Sequence, residues 1–394
     1  LLLALTAVGQ GAHRLANGHL KIGISSLLYK KLDYIPKHEI DNAIYQAAAR
    51  WSAAANLTLE FYFDGERLAS PSKGKGDGSS VITISDNLQP DNPYTSAESP
   101  AGTRIFLSST GEIKEADIVL NENVRFSTNF APQSFDLQSV LLHEFGHLIG
   151  LGHSFVRGAA MYRAVTPVSI LGEKKRLELT DVDLSQARSI YAALNTGDNC
   201  CGEVVIEVPK YLAGKRLQVW LENEDGKVIA AKYIDPRSNR IGGLKAGNYK
   251  LFAQSPEEGY FCQRPALVEI YPQQVISAQL NTVIAQPFSE IDLIGKDGVL
   301  GESALILGSE GLFKIHLALM GEPINVAEIN TSSSWIKSKS KPFLSNIFNT
   351  KEKIVSAELL VEKAAPTGLY SISLTLVDGR QVYLPGVLDL QLNE

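Results

Sequence analysis

Within residues 143–153, three histidines and a glutamate fall at His143, Glu144, His147 and His153, with Gly150 between the last two histidines. Few patterns limit a fold more tightly. His143 and His147 are four residues apart, and on an α-helix that spacing stacks their side chains on one face, within reach of a single ion. Glu144 falls on the flank of that face, where a carboxylate can take a proton from a metal-bound water without displacing a ligand, making it the candidate general base. Gly150 permits the left-handed backbone that ends a helix and reverses the chain, so that His153 can swing back as a third imidazole. Three neutral imidazoles hold zinc in a tetrahedral site with one position open to water, and the ion lowers that water's pKa towards ~7. A lone histidine on an apolar helix is more often a packed core residue. Here five positions agree, and the metal reading prevails.

The flanking residues supply the helix. Asp136 is the candidate N-cap of a helix over Leu137 to Ile149, and Thr180 precedes a second over Asp181 to Leu194. Further upstream, Ile40, Ala43, Ile44, Ala47, Ala48 and Trp51 lie at helical spacing within residues 37–55. Strands are expected at Leu57 to Phe63, Val81 to Ile84, Thr103 to Leu107 and Ala116 to Leu120, with a Gly, Ser and Lys loop from Ser70 to Ser80. The first half is therefore mixed α and β. After Asn195-Thr196-Gly197-Asp198 the texture becomes short alternating strands with Gly, Pro, Asn and Asp turns and no amphipathic helix, an all-β pattern.

At 394 residues the chain exceeds what one core usually holds. A formal net charge of -6, with Lys174-Lys175-Arg176 as the longest basic run, argues against nucleic acid as a partner. No stretch has the length of apolar residues that a membrane helix needs. Leu1 to Val8, running into Gly9-Gln10-Gly11-Ala12, reads as the end of a signal peptide cleaved near Ala12, although the basic start is missing. Export is expected on that reading. In an oxidising compartment the adjacent pair Cys200 and Cys201 would supply one bridge to Cys262, with Cys201 to Cys262 as the candidate pairing and one thiol left over.

The pattern from His143 to His153 resembles that of the metzincin metallopeptidases. Ala159-Ala160-Met161-Tyr162 is similar to their methionine turn, with Met161 as its methionine. Ser154, and Leu179-Thr180-Asp181-Val182-Asp183 leading into Ile190-Tyr191, are similar to matrixins. The resemblance implies an α+β zincin catalytic domain over residues 16–195, after a leader remnant at 1–15. It further implies a secreted zinc endopeptidase acting on protein or peptide substrates, one catalytic zinc held by His143, His147 and His153, and Glu144 as its base. The strand near Ala116 to Leu120, if it is the edge strand over the cleft, would hold substrate extended by β-addition. Two all-β sandwich modules are expected to follow. The first, at 200–282, resembles prealbumin-like domains through Gly243-Leu244-Lys245-Ala246-Gly247-Asn248-Tyr249. The second, at 283–394, resembles immunoglobulin-like modules of the TIG branch. Such modules commonly bind a surface or matrix component.

Departures from the resemblance are specific. No cysteine precedes Cys200, so latency through a cysteine on the zinc is not expected from this chain, and no histidine lies between His38 and His143, so a second, structural zinc is not expected either. Calcium stays a candidate, with Asp117, Asn121 and Glu122 as the oxygen donors. Arg163 stands where a proline commonly follows Met-Tyr, so substrate preference does not carry over. The rival reading is a non-catalytic surface adhesin with a relic protease domain, disfavoured because all four chemical residues are present.

Overall fold

Helical spacing of apolar residues organises the first half. The stripe from Ile40 to Trp51 forms one face of α2 (Lys37–Ala55), and all six of its apolar residues are buried. This helix follows the short α1 (Ser26–Lys31) and ends where Asn56 turns left-handed, at φ 53°. The Trp51 indole N–H donates to the Leu142 carbonyl at 2.7 Å, which ties α2 to α3 (Leu137–Leu148). The computed structural model describes residues 13–71, 74–85, 99–168, 176–191, 200–234, 238–288, 291–296, 299–319, 326–345 and 353–391. The leader at Leu1 to Ala12, Lys174 and Lys175, and the junction Asn195 to Asp198 lie outside them. No helix among the described residues is long and apolar enough to cross a membrane.

Five strands make the sheet of this half, in the order β2-β1-β3-β5-β4. They are β1 (His19–Ile24), β2 (Thr58–Phe63), β3 (Ser80–Ser85), β4 (Ala101–Leu107) and β5 (Ile113–Asn121). The first three and β5 run parallel, while β4 returns antiparallel to β5 through a turn at Ser108 to Glu112. Because the hairpin folds β4 outward, β5 is paired on both sides. The strand over Ala116 to Leu120 is therefore interior, contrary to the condition drawn from sequence, and β4 is the edge strand. Two-residue strands β6 (Phe126–Ser127) and β7 (Phe135–Asp136) pair just ahead of α3.

Among the described residues the chain forms two compact units. One takes the chain up to His153 with 165–179 and 190–196, and the other takes 154–164, 180–189 and everything from 197 onward. The second unit thus holds most of α4 (Asp181–Ile190) together with the β-rich C-terminal region.

In that region a four-stranded sheet has the order β10-β9-β12-β14, from β9 (Leu217–Glu222), β10 (Val228–Ile234), β12 (Gly247–Gln254) and β14 (Ala266–Ile270). It shares a core with the sheet β11-β8-β15, from β8 (Gly202–Glu207), β11 (Arg240–Leu244) and β15 (Val275–Gln279). A two-stranded antiparallel ladder pairs β13 (Tyr260–Cys262) with β16 (Thr282–Ile284). A second pair of sheets comes next. One is ordered β18-β17-β20-β24-β22, with β23 (Phe343–Ser345) also on β24, and uses β17 (Ile291–Lys296), β18 (Val299–Gly301), β20 (Gly311–Leu319), β22 (Ile336–Ser338) and β24 (Lys353–Val361). The other is ordered β19-β26-β25-β21, from β19 (Leu305–Leu307), β21 (Val326–Thr331), β25 (Gly368–Leu376) and β26 (Gln381–Leu390). Their shared core takes in Phe261 from β13.

One local device recurs in both. Gly247 and Gly368 open β12 and β25 at φ +154° and +145°, and the tyrosine two residues later returns its hydroxyl to a carbonyl four residues back. Tyr249 donates to Lys245 at 2.9 Å, and Tyr370 to Pro366 at 2.6 Å. Such a corner fixes where a strand enters its sheet.

The run Val219-Trp220-Leu221 makes β9 apolar on both faces, so both must be covered. Val219 and Leu221 enter the shared core of the first pair of sheets. Trp220, on the opposite face, stacks on Phe252 at 5.0 Å and gathers Val156, Ala159, Val182 and Leu369 into one buried cluster. Cys262 lies in this cluster because β13 pairs with β16 and directs it there. It is a free thiol whose burial pushes its pKa up to about 11, and the structure joins Cys200 to Cys201 instead. Cys201 and Cys262, the candidate pairing from sequence, are not joined to each other in it.

Trp220→Ala should destabilise the second unit by about 3–5 kcal/mol, the usual cost of emptying a buried tryptophan site. Limited proteolysis should then cut first within residues 154–164, whose apolar side chains lose their main partner. A urea midpoint unchanged from wild type would show that this cluster contributes little.

Candidate metal centre

The site begins at the N-terminus of α3. Asp136 caps the helix, its Oδ2 accepting the Ser139 N–H at 2.9 Å and the Ser139 hydroxyl at 2.7 Å. Arg176 grips the same carboxylate through Nε at 3.2 Å and Nη2 at 3.1 Å. A buried acid at a helix N-terminus is stabilised by the N–H donors and by the helix dipole. Phe145, on the buried side of α3, meets Phe61 edge to face at 6.1 Å, which helps fix the rotation of the helix.

The other end of α3 is a Schellman motif. The Gly150 N–H donates to the His147 carbonyl at 2.8 Å and the Leu151 N–H to the Gly146 carbonyl at 2.9 Å, with Gly150 at φ +99°. A Cβ at Gly150 would also lie 1.9 Å from the His13 carbonyl oxygen, so glycine is required twice over. The reversal carries the Leu151 carbonyl back to His147 Nδ1, at 2.9 Å. That bond places the proton of the neutral ring on Nδ1 and leaves the Nε2 lone pair for the centre of the site. Tyr191 secures the turn from outside, its hydroxyl donating to the Ile149 carbonyl at 2.7 Å and accepting from the Leu15 N–H at 3.0 Å.

The three imidazoles converge as the spacing predicts. His147 Nε2 lies 3.1 Å from His143 Nε2 and 3.1 Å from His153 Nε2. Metal–nitrogen bonds of about 2.05 Å in a tetrahedral site require nitrogens about 3.3 Å apart, close to both separations at His147, and the donor set fits a zinc ion in number and chemistry. Among the described residues these three form the one group of His, Cys, Asp or Glu side chains placed to share an ion. His143 is buried, His147 half-buried and His153 exposed, leaving one side of the site open.

Glu144 is buried beside them. The Thr103 hydroxyl of β4 lies 2.6 Å from its Oε2 and 3.1 Å from its main-chain carbonyl. Burial pushes the Glu144 carboxyl above the ordinary range, opposed by the His147 ring and by the Thr103 hydrogen bond.

Met161 lies in the second unit and is fully buried. Its carbonyl accepts from the Ser154 N–H at 2.7 Å. The N–H groups of Ala160 and Met161 donate to Asp183 at 2.9 and 3.0 Å. Asp183 is also the third residue of α4 and accepts the Thr180 N–H at 2.9 Å and the Thr180 hydroxyl at 2.7 Å, the return half of a capping box. Sequence reasoning assigned no role to Asp183 or to Thr103. The Thr-x-x-Asp spacing at 180–183 was a legible signal for the first, and nothing local signals the second.

The calcium candidates are not brought together. Asp117 and Asn121 stand four residues apart on β5, which at a strand's rise is about 13 Å. Asp117 accepts the N–H groups of Ser70 at 2.8 Å and Val81 at 3.0 Å. The Asn121 amide bonds the Ser99 carbonyl and the Asn123 N–H, both at 2.9 Å, and Glu122 pairs with Lys31 at 3.0 Å.

Residues 23–192 match the family model described as Matrixin. Metalloendoproteinase 1-MMP of Arabidopsis thaliana is 26% identical over 184 residues, covering 44% of this chain and 45% of its own. Interstitial collagenase of Equus caballus is 28% identical over 153 residues, 39% of this chain and 29% of its own. The chain thus spans less than half the length of these curated relatives. Among solved structures, BcpA, the major pilin subunit of Bacillus cereus, overlaps 48% of this chain and 68% of its own at 14% identity. Its TM-score of 0.18 is too low to bear on the fold.

Asp117 gives this half a pH dependence with a definite sign. Burial raises its carboxyl to about 7, so the folded state binds the proton more tightly than the unfolded chain does. Its contribution to stability is fully present below the ordinary carboxylate pKa of about 4 and is lost as pH rises through about 7. Asp117→Asn should flatten the melting temperature across that window, whatever its overall stability. An unchanged slope in thermal melts at graded pH would assign the dependence to other groups.

Proposed function

We propose that this chain is an exported zinc endopeptidase that hydrolyses peptide bonds of protein substrates, with His143, His147 and His153 as ligands and Glu144 as general base. The observation that carries this reading is the convergence of three imidazoles, with His147 Nε2 3.1 Å from the Nε2 of each of the other two, beside a buried carboxylate. A zinc ion held there supplies Lewis acidity and a coordinated water of lowered pKa. The chain's own groups do the remaining work. His147, fixed through Nδ1, keeps a lone pair on Nε2 for the ligand position. Glu144, whose carboxylate is held beside the three imidazoles, is placed to take a proton and return it to a leaving amine.

Edge strand β4 supports a peptide substrate in particular. Among the described residues it pairs with β5 alone, so the other side of its backbone is available to an extended segment by β-addition. Loops and unfolded stretches can adopt that form. The turn at Met161, held by Asp183, belongs to the same reading as the methionine turn. For the β modules the reading is to position the enzyme against a surface or matrix component, while one buried face supports residues 154–164 and α4.

Glu144→Ala should retain zinc and fold while losing ~10²–10⁴-fold or more in peptide hydrolysis, the usual worth of a general base. Cleavage of a proteome-derived peptide library, with and without chelator, is the measurement, and near-normal turnover in the variant would sink the mechanism. His153→Ala should lose the metal, since two imidazoles leave the ion under-coordinated. About one equivalent of zinc in the purified variant would remove His153 from the ligand set.

A further inference from the structure

We propose that Thr103, on edge strand β4, is the positioning residue for Glu144; the inference rests on the peptidase reading and assigns that site a further part. The geometry begins with strand alternation. Arg104 and Thr103 are neighbours on β4, so their side chains leave opposite faces of the sheet. Arg104 is buried on one face, where it stands across from Asp117 in the register and donates to the Ser70 carbonyl at 2.7 Å. With that residue anchored, Thr103 is presented to α3 on the other face.

The Thr103 hydroxyl has one proton and two acceptors in reach, Glu144 Oε2 at 2.6 Å and the Glu144 carbonyl at 3.1 Å. The carboxylate is the stronger acceptor and the nearer one, and the Glu144 carbonyl is already engaged by the helix. The proton therefore goes to Oε2. A glutamate's terminal torsion is broad, with no staggered well to hold the carboxylate plane. A hydroxyl fixed on a strand supplies the missing restraint, and it reaches Oε2 from the same strand that, among the described residues, forms the edge proposed to take the substrate. The base and the peptide are thus set by one element. A general base works only within hydrogen-bond reach of its proton, so a carboxylate free to rotate is productive for a fraction of the time.

A purely structural Thr103 would only dock β4 onto α3, and loosening β4 would raise KM. Positioning the base instead affects kcat. Thr103→Val, which keeps the shape and removes the hydroxyl, should lower kcat by ~10–100-fold with KM within about twofold, and Thr103→Ser should restore kcat to within a few-fold. A rise in KM at unchanged kcat, or a serine variant as poor as the valine, overturns the proposal.

The second readout needs no turnover. In metal-free protein, the melting shifts of Thr103→Val and Glu144→Ala should fall well short of additive in the double variant, because each removes the same hydrogen bond. Additive shifts overturn the proposal. A wild-type chain that binds zinc but cuts no peptide refutes the peptidase reading, and the cycle then decides the Thr103 to Glu144 bond by itself.

Discussion

Everything at the three-histidine site depends on how α3 stops. An α-helix can bring two imidazoles to one ion by four-residue spacing, but a third on the same helix would fall on another face or a turn too far away. The third ligand must come from chain that has already reversed. Gly150 makes the reversal, and the backbone bonds that close it also deliver the Leu151 carbonyl to His147 Nδ1. One turn therefore sets the position of His153 and the tautomer of His147. Its geometry is held from two directions, by Tyr191 on the Ile149 carbonyl and by the His13 carbonyl packed where a Cβ would stand.

The second dependence is on buried carboxylates that accept backbone N–H groups. Asp136 caps α3, Asp117 fastens Ser70 and Val81 to β5, and Asp183 joins Ala160, Met161 and Thr180. Asp136 acts in the first turn of α3, Asp117 at Ser70 and at the start of β3, and Asp183 at the Met161 turn and the start of α4. A charged acceptor is worth about twice a neutral one, and its strength rises in a low-dielectric interior. The same burial costs solvation, which is why Asp117 and Asp183 both hold their protons more tightly than free carboxylates. Glu144 shares that environment with fewer donors, the Thr103 hydroxyl being the one that reaches its carboxylate at 2.6 Å.

Periodicity made much of this legible. The stripe from Ile40 to Trp51 specified α2, and Asp136 ahead of Leu137 specified where α3 starts. The three histidines were readable because each depends on local geometry alone: helix spacing, then a glycine. What the sequence hid depends on pairing between distant segments. Whether β4 or β5 is the edge follows from hairpin direction, and a run such as Ala116 to Leu120 reads the same in either place. Asp117, Asn121 and Glu122 resembled a cation site because three oxygen donors lie close in sequence, yet a strand spreads them out and gives each another partner. Cys262 is likewise decided by which face of β13 it occupies, and Thr103 by a contact across 41 residues.

The matrixin stretch and the compact units do not coincide, and the reason lies in Trp220. Residues 154–164 and most of α4 fall within the matrixin match, yet Val156, Ala159 and Val182 are buried with Trp220, Phe252 and Leu369 of the β region. Two glycines show how close the packing is. A Cβ at Gly158 would lie 2.3 Å from Leu369, and one at Gly386 2.4 Å from Val156. Protein interiors tolerate no such overlap, so the turn segment and these strands are fitted to one another. Lys227 adds an ion pair to Asp181 at 2.7 Å, and the Gln186 amide donates to the Ala231 carbonyl at 3.1 Å. A short turn with few apolar residues cannot bury them alone. Here β9, β10 and β25 supply the missing surface, so the segment that carries Met161 draws its packing from sequence that lies outside the family match.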